Sequence, residues 1–156
     1  MAKNKMQAEL IGKQIPMDTG RSDEGTPVSL YDFKGRSLAV FLSGEGLTKK
    51  NKTLIKQLKD ATDEFLKYDC SPIWISTESE ELLSAARQLY DLPYMIISDF
   101  SKEIHDSLGF NFNSQNIDVI LCNEEGKIVY TVPSMEPLEL VNATLSALNR
   151  VFVRNN

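Results

Sequence analysis

The chain has 156 residues, 42% apolar and 25% charged, with a formal net charge of −5. This is the length of one domain spanning 1–156, able to bury about two-thirds of its unfolded surface, and the composition of an ordinary globular protein. The negative balance argues against nucleic acid as the main partner. Two cysteines, Cys70 and Cys122, and one histidine, His105, make neither a disulfide framework nor a zinc site, so no metal and no cofactor is expected.

Met1 to Met6 carries basic residues with no apolar stretch behind them, so no signal peptide is expected. No run of about 18 apolar residues occurs, so no membrane span is expected and a cytoplasmic location follows as an expectation. Residues 1–13 read as a loosely ordered start. Gly12, Pro16, Gly20 and Gly25 then punctuate an extended segment with little periodicity. Thr26 to Leu30 reads as a short edge strand, because Pro27 is tolerated only at an edge or a strand start. Tyr31 to Gly35 turns into Leu38 to Leu42, which has the length and flanks of a fully buried strand.

Ser43-Gly44-Glu45-Gly46 permits a tight turn. A helix is predicted from about Thr48 to Tyr68, with Leu54, Leu58, Ala61 and Phe65 on its apolar face. Ile73 to Ile75 is the next strand. Thr77-x-x-Glu80 has the form of a capping box before a helix carrying Leu82, Leu83, Ala86 and Leu89. Met95 to Ile97 is a third strand, and Ser101 is the expected cap of a short helix closed by Gly109. Val119 to Cys122 and Lys127 to Val132, joined by a polar loop ending in Gly126, make a hairpin. Pro137 suits the first turn of a last helix with Leu138, Val141, Leu145, Leu148 and Phe152 on its apolar face. Alternating strands and helices imply an α/β fold, a central mixed sheet flanked by helices on both faces, with the hairpin adding antiparallel strands at one side.

Several segments, in order and at natural spacings, carry a resemblance. Gly12 and Pro16 fit a G-x-x-x-P start, and Val28 to Arg36 (VSLYDFKGR) is close to V-S-L-x-D-F-K-G-K. Ile75 to Ser79 fits I-S-x-D-S, Leu92 to Asp99 fits L-P-F-P-L-L-S-D, and Leu108-Gly109-Phe110 fits Y-G-V. Ile120 to Ile128 fits F-L-I-D-x-x-G-x-I. From about Gly12 to Val132 the chain resembles the peroxiredoxins, of the alkyl hydroperoxide reductase and thiol-specific antioxidant family. The resemblance implies a thioredoxin-like fold in its peroxiredoxin form, antioxidant peroxide reduction and a homodimer.

The family's catalytic motif is P-x-x-x-T-x-x-C at the start of a helix. Here the same stretch runs from Gly44 to Asn51. Thr48 matches, Gly44 stands at the proline and Asn51 at the peroxidatic cysteine. The family's arginine before the first hairpin strand falls at Asn116 or Ile117. Peroxide reduction needs a thiolate to attack the O–O bond, and an amide has no such lone pair and no sulfenic acid to form.

Cys70 is expected at the amino end of its strand, and Cys122 at the far end of an antiparallel one. A strand of four residues, roughly 13 Å, separates both from the carboxyl edge where the family pocket lies. Both read as small buried thiols. His105, among Glu103 and Asp106, reads as a solvated surface histidine away from the pocket, and Trp74 as core. Lys49, Lys50, Lys52, Lys56 and Lys59 read either as a solvated helix face or, with Thr48 and the helix N–H groups, as an anion site.

Three functions stay open: a peroxiredoxin homologue without peroxidase activity, acting as a binding or assembly protein for an unidentified protein partner; an oxidoreductase using Cys70 or Cys122; and a small-anion binder. The residues of the relic or anion-binding pocket are Gly44, Thr48, Lys49, Lys50 and Asn51.

Overall fold

The computed structural model describes residues 9–44, 51–109 and 117–153. Seven strands form one mixed sheet. They are β1 (Thr19–Ser22), β2 (Pro27–Ser29), β3 (Ser37–Ser43), β4 (Cys70–Ser76), β5 (Met95–Ser98), β6 (Ile117–Cys122) and β7 (Ile128–Val132). Their order is β2-β1-β5-β4-β3-β6-β7. Among the described residues the helices of six residues or more are α1 (Lys52–Leu66), α2 (Glu80–Tyr90), α3 (Glu103–Leu108) and α4 (Pro137–Leu148), the last running into a π turn, Asn149–Val153.

The centre of the sheet is parallel, β3 beside β4 and β4 beside β5. Helical crossovers impose this, since a parallel return needs a long connection. β6 pairs antiparallel with β3, and the β6–β7 hairpin closes that side as the sequence predicts. Every residue of β3 is buried, as befits a strand covered on both faces.

Alternation along β3 sorts the core into two layers. Ala39 and Phe41 face a cluster with Leu54, Ile55, Leu58 and Phe65 of α1, Leu83 of α2, and Leu140, Val141 and Leu148 of α4. Leu38, Val40 and Leu42 face the other cluster, with Ile104 and Leu108 of α3, Leu30, Leu10 and Ile15. Three long helices thus cover one face. The second face is covered by the short α3, by a 3-10 turn at Leu30–Phe33 and by the segment of Leu10 and Ile15, an uneven version of the two-sided cover expected.

Several local expectations shift. β1 occupies the segment read as irregular, its pattern interrupted by Gly20. A Cβ there would lie 2.6 Å from the Ser98 carbonyl oxygen, so only glycine lets β1 approach β5. β2 is an edge strand as expected, and Ser29 ends it in a reciprocal cap. The Ser29 Oγ accepts from the Tyr31 N–H at 3.1 Å while Asp32 Oδ2 accepts from the Ser29 N–H at 2.9 Å. β4 begins at Cys70 and runs through Pro72, earlier than the predicted start at Ile73.

The cap of α2 is Ser79, whose Oγ accepts from the Leu82 N–H, not Thr77. Leu82 and Leu89 lie outside the core, 46% and 75% exposed, so the buried stripe is Leu83 and Ala86. In α4, Leu138 is exposed and Leu140, Val141, Thr144, Ala147 and Leu148 are buried, a face one step round from that predicted. Residues 9–13, expected at the loose start, are held against the hairpin. The Gly12 N–H donates to the Ile128 carbonyl at 2.7 Å and the Ile128 N–H to the Lys13 carbonyl at 2.8 Å.

Candidate functional site

Three parallel strands end on serine in one register row. Ser43 pairs with Ser76, Ser76 with Ser98, and the row continues to Ile117 of β6 on one side and Arg21 of β1 on the other. This is the carboxyl edge of the parallel strands, where an open α/β sheet usually places its ligands. All three serines are buried. The Ser43 Oγ accepts from the Trp74 indole N–H at 2.7 Å. The Ser76 hydroxyl meets the Gly44 carbonyl at 3.2 Å and Glu78 Oε1 at 3.1 Å, while its oxygen accepts from the Glu78 N–H. The Ser98 hydroxyl donates to the Glu78 carbonyl at 2.5 Å. The Thr77 N–H donates to the Gly44 carbonyl at 2.9 Å, tying β3's exit to β4's. Such a network satisfies the buried groups that a strand end would otherwise leave unpaired.

Above it stands Asp99, fully buried just beyond β5. Its Oδ1 accepts from the Ile104 N–H at 3.1 Å and its Oδ2 from the His105 N–H at 2.8 Å, so Asp99 takes the capping role expected of Ser101. The His105 ring lies between Asp99 and β3, with Nδ1 2.7 Å from Asp99 Oδ2 and Nε2 2.9 Å from the Ser43 carbonyl oxygen. The expectation of a solvated, remote histidine is therefore corrected: His105 is 1% exposed and touches the last residue of β3. The flanking acids Glu103 and Asp106 suggest a surface helix, but in the register of α3 position 105 falls beside Ile104 on the inward side. Serine, histidine and aspartate here do not form a nucleophilic triad, because Nε2 meets the carbonyl and the Ser43 Oγ is held by Trp74.

Of the predicted pocket residues, Thr48, Lys49 and Lys50 lie outside the described residues, as does Asn116. Gly44 is at the carboxyl edge. Asn51 is the N-cap of α1, its carbonyl accepting from the Ile55 N–H at 2.8 Å, and the helix proper starts at Lys52. Lys52 and Lys56 are exposed. Lys59 ties two helices together, its Nζ donating to the Tyr90 carbonyl at 2.8 Å, at the end of α2. Ile117 opens β6 and is buried.

The sequence reading does not single out Ser43, Ser76, Ser98, Glu78 or Asp99. Their signal is that each of three apolar strands closes on a serine, with Asp99 directly after β5 and Glu78 two residues after β4.

The cysteines sit at the opposite edge. Cys70 opens β4, level with Ser37, and Cys122 closes β6, level with Leu38. Burial pushes both thiols up to about 12, with Arg36 pulling Cys70 slightly back and Cys70 adding to the rise at Cys122. Their strands flank β3 on its two sides, and the side chains join opposite core layers. Two strand spacings are about 9.6 Å, beyond the roughly 7 Å Cα limit of a disulfide. Non-reducing peptide mapping of the native protein is expected to show no Cys70–Cys122 link. Alkylation of either thiol should still be rising with pH above about pH 9, because the thiolate is disfavoured until near the raised value.

The comparisons agree with this architecture. The chain is 22% identical over 128 residues to peroxiredoxin Bcp of Bacillus subtilis (strain 168), covering 76% of this chain and 82% of that protein. It is 28% identical over 110 residues to the chloroplastic peroxiredoxin Q of Sedum lineare, covering 70% of this chain and 59% of the plant protein. The crystal structure of peroxidoxin BcpB from Mycobacterium tuberculosis superposes with a TM-score of 0.80 at 15% identity, over 90% of this chain and 97% of that one. Thioredoxin peroxidase I of Plasmodium yoelii gives 0.77 at 20% identity, over 90% of each chain. At these identities the structural likeness shows the fold, a thioredoxin-like sheet in its peroxiredoxin form. The AhpC/TSA family profile matches residues 11–131, from the segment before β1 into β7, and with that span the chain belongs to the AhpC/TSA family.

Proposed function

We propose that this chain is a family member without rapid peroxidase activity that acts as a binding or assembly protein. The observation that carries the reading is the placement of its thiols. Two cysteines are present in the sequence. Both are fully buried, both are pushed up to about 12, and both lie at the edge of the sheet away from Gly44 and the serine row. At pH 7 a thiol of that kind is ionised to about one part in a hundred thousand, and the thiolate is the attacking species. With Asn51 at the family's cysteine position, no thiol faces the site. The surface built on Gly44, Thr48, Lys49, Lys50 and Asn51 is then the binding surface, and a cytoplasmic homodimer is the form in which we expect it to work. Among the described residues no helix is long and apolar enough to cross a membrane.

The test is peroxide consumption with a dithiol reductant, run on the wild type and on the Cys70→Ser/Cys122→Ser double variant. Equal, background-level rates are expected. Rapid stoichiometric sulfenic acid at Cys70 or Cys122 under micromolar-scale peroxide would overturn the reading in favour of an oxidoreductase using a displaced cysteine.

A further inference from the structure

Two leucines that the sequence pattern assigns to the apolar face of α2 lie open to solvent. Leu82 is 46% exposed and Leu89 75%, and Ala85 between them is exposed as well. At steps of three and four, these residues stand on one side of the helix. Glu81 and Gln88, each one residue before a leucine, border them on that side and are exposed too. A single exposed leucine is ordinary, but an apolar stripe along two turns of helix marks an interaction surface. The stripe is not what anchors α2, since Leu83 and Ala86 are the residues that join the core.

The charge at the amino end of this helix is mostly of one sign. A cleft of about 560 Å3 opens there, lined by Glu80, Glu81 and Glu103 together with Phe100, which is 68% exposed. Among the described residues none of the three carboxylates is paired with a cation. Arg21 is the one base lining the cleft, and its Nη1 donates to the Gly25 carbonyl at 2.9 Å. Lys102, exposed, precedes Glu103 in the chain. Arg87 is held by Asp23 on the flank of α2 away from Leu82 and Leu89, and Lys59 sits at the opposite end, on the Tyr90 carbonyl. The helix dipole accounts for acids in the first turns of α2 and α3, but not for the exposed apolar residues beside them.

We propose that the Leu82–Ala85–Leu89 face of α2, with Phe100 and the acidic cleft at its amino end, docks a basic amphipathic helix of another protein. The partner's apolar residues lie along the stripe at helical spacing, and its lysines or arginines stand over Glu81 and Glu103. Charge decides the class of partner. Covering Glu81 with an apolar or acidic surface would take an unpaired carboxylate out of water, whereas a basic helix supplies the missing cation. Lys59 at the carboxyl end of α2 fixes the direction, with the partner's positive end over the first turn. No residue of this surface belongs to the pocket of Gly44, Thr48, Lys49, Lys50 and Asn51. The inference goes beyond that binding role and holds whether or not the chain reduces peroxide.

The probe is a synthetic helix of about 15 residues, leucine along one face and lysine elsewhere, with a control in which glutamate replaces lysine. Each is titrated into the full 15N-labelled chain at about 100 mM salt while the backbone amides are followed. The lysine peptide is expected to bind with a Kd below about 100 μM, and the glutamate control at least about tenfold more weakly. The amides of Glu81, Leu82, Ala85, Leu89 and Phe100 should shift, and those of Tyr130 in β7 and Leu140 in α4 should stay still. Leu82→Gln/Leu89→Gln changes only exposed side chains to another good helix former, so the fold should hold and affinity fall at least about tenfold. Glu81→Gln/Glu103→Gln should lose about three- to tenfold, a loss that shrinks at about 500 mM salt. The docking site is overturned by a weaker Kd, by shifts confined to other elements, by equal binding of the two peptides, or by variants that bind as the wild type does. It is also overturned if sedimentation shows a wild-type dimer that Leu82→Gln/Leu89→Gln turns into a monomer, because a second copy then covers the face. If the leucine variant does not fold, the wild-type shift map and the glutamate variant decide.

Discussion

Asn51→Cys is expected to alkylate at least about a hundred-fold faster at pH 7 than Cys70 or Cys122. Thiolate fraction, nucleophilicity and access together set that rate. Position 51 is the N-cap of α1, beside the first-turn N–H groups that have no partner within the helix. The first turn holds no acid, and Lys52 and Lys56 add positive charge. Helix N-termini and nearby cations favour thiolate, so this thiol should titrate below the free value of about 8.5. At pH 7 that gives a thiolate fraction above about 3%, some three thousand-fold more than a thiol near 12. The lower intrinsic nucleophilicity of a more acidic thiol takes back about thirty- to fifty-fold. Burial of the two native thiols, which react only after local opening, restores part of that margin.

Peroxide turnover by the same variant should stay poor. By the family resemblance, Gly44 stands where a proline shapes the loop, and the arginine position falls at Asn116 or Ile117. A new thiolate would therefore lack its strongest electrostatic helper. The experiment is alkylation rate against pH, followed by peroxide consumption. A thiol titrating at or above about 8.5 would mean that residue 51 does not sit at an electropositive helix start. Full family-like turnover would mean that residue 51 alone separates this chain from an active peroxidase.

The parts of the fold legible in the sequence are those set by burial period and turn chemistry. Leu38 to Leu42 announces a strand covered on both faces, and its apolar run is what the structure buries. Asn123 to Gly126 announces the hairpin, whose turn is closed by the Asn123 side chain accepting from the Glu125 and Lys127 N–H groups. β1 is not legible, because its pairing depends on Gly20 having no side chain, a tertiary requirement with no local period. The cap of α3 is not legible either. Ser101 is the better local candidate, and the structure uses Asp99 because its carboxylate can serve two backbone N–H groups and the His105 ring together. His105 shows the general difficulty. Flanked by acids it reads as surface, and the structure buries its ring against a carboxylate six residues back and a strand-end carbonyl 62 residues back. Gly44 and Asn51 are placed at a strand exit and a helix start, as the strand-loop-helix reading requires. What the residues between them do is carried by the family resemblance.

Trp74→Ala is expected to remove about 3–5 kcal/mol of stability, a third or more of what a domain of this size commonly has. Trp74 is fully buried and stacks on Phe41, ring centroids 6.1 Å apart at 22°. Phe41 in turn meets Phe65 of α1 edge-on at 6.3 Å, so the indole is the end of an aromatic row joining β4, β3 and α1. Truncation opens a cavity between strand and helix that a β-sheet cannot collapse to fill, and leaves the Ser43 Oγ without its indole donor. Trp74→Phe keeps most of the packing and loses the donor, so about 1–2 kcal/mol is expected. Urea unfolding followed by far-ultraviolet circular dichroism measures both, since the variants lack the chain's one tryptophan. A loss below about 1.5 kcal/mol in Trp74→Ala would contradict the burial on which the first core layer rests. Ser43 is held through its hydroxyl by Trp74 and meets His105 of α3, which covers the other face, through its carbonyl, so the phenylalanine variant removes one of two contacts at the end of β3.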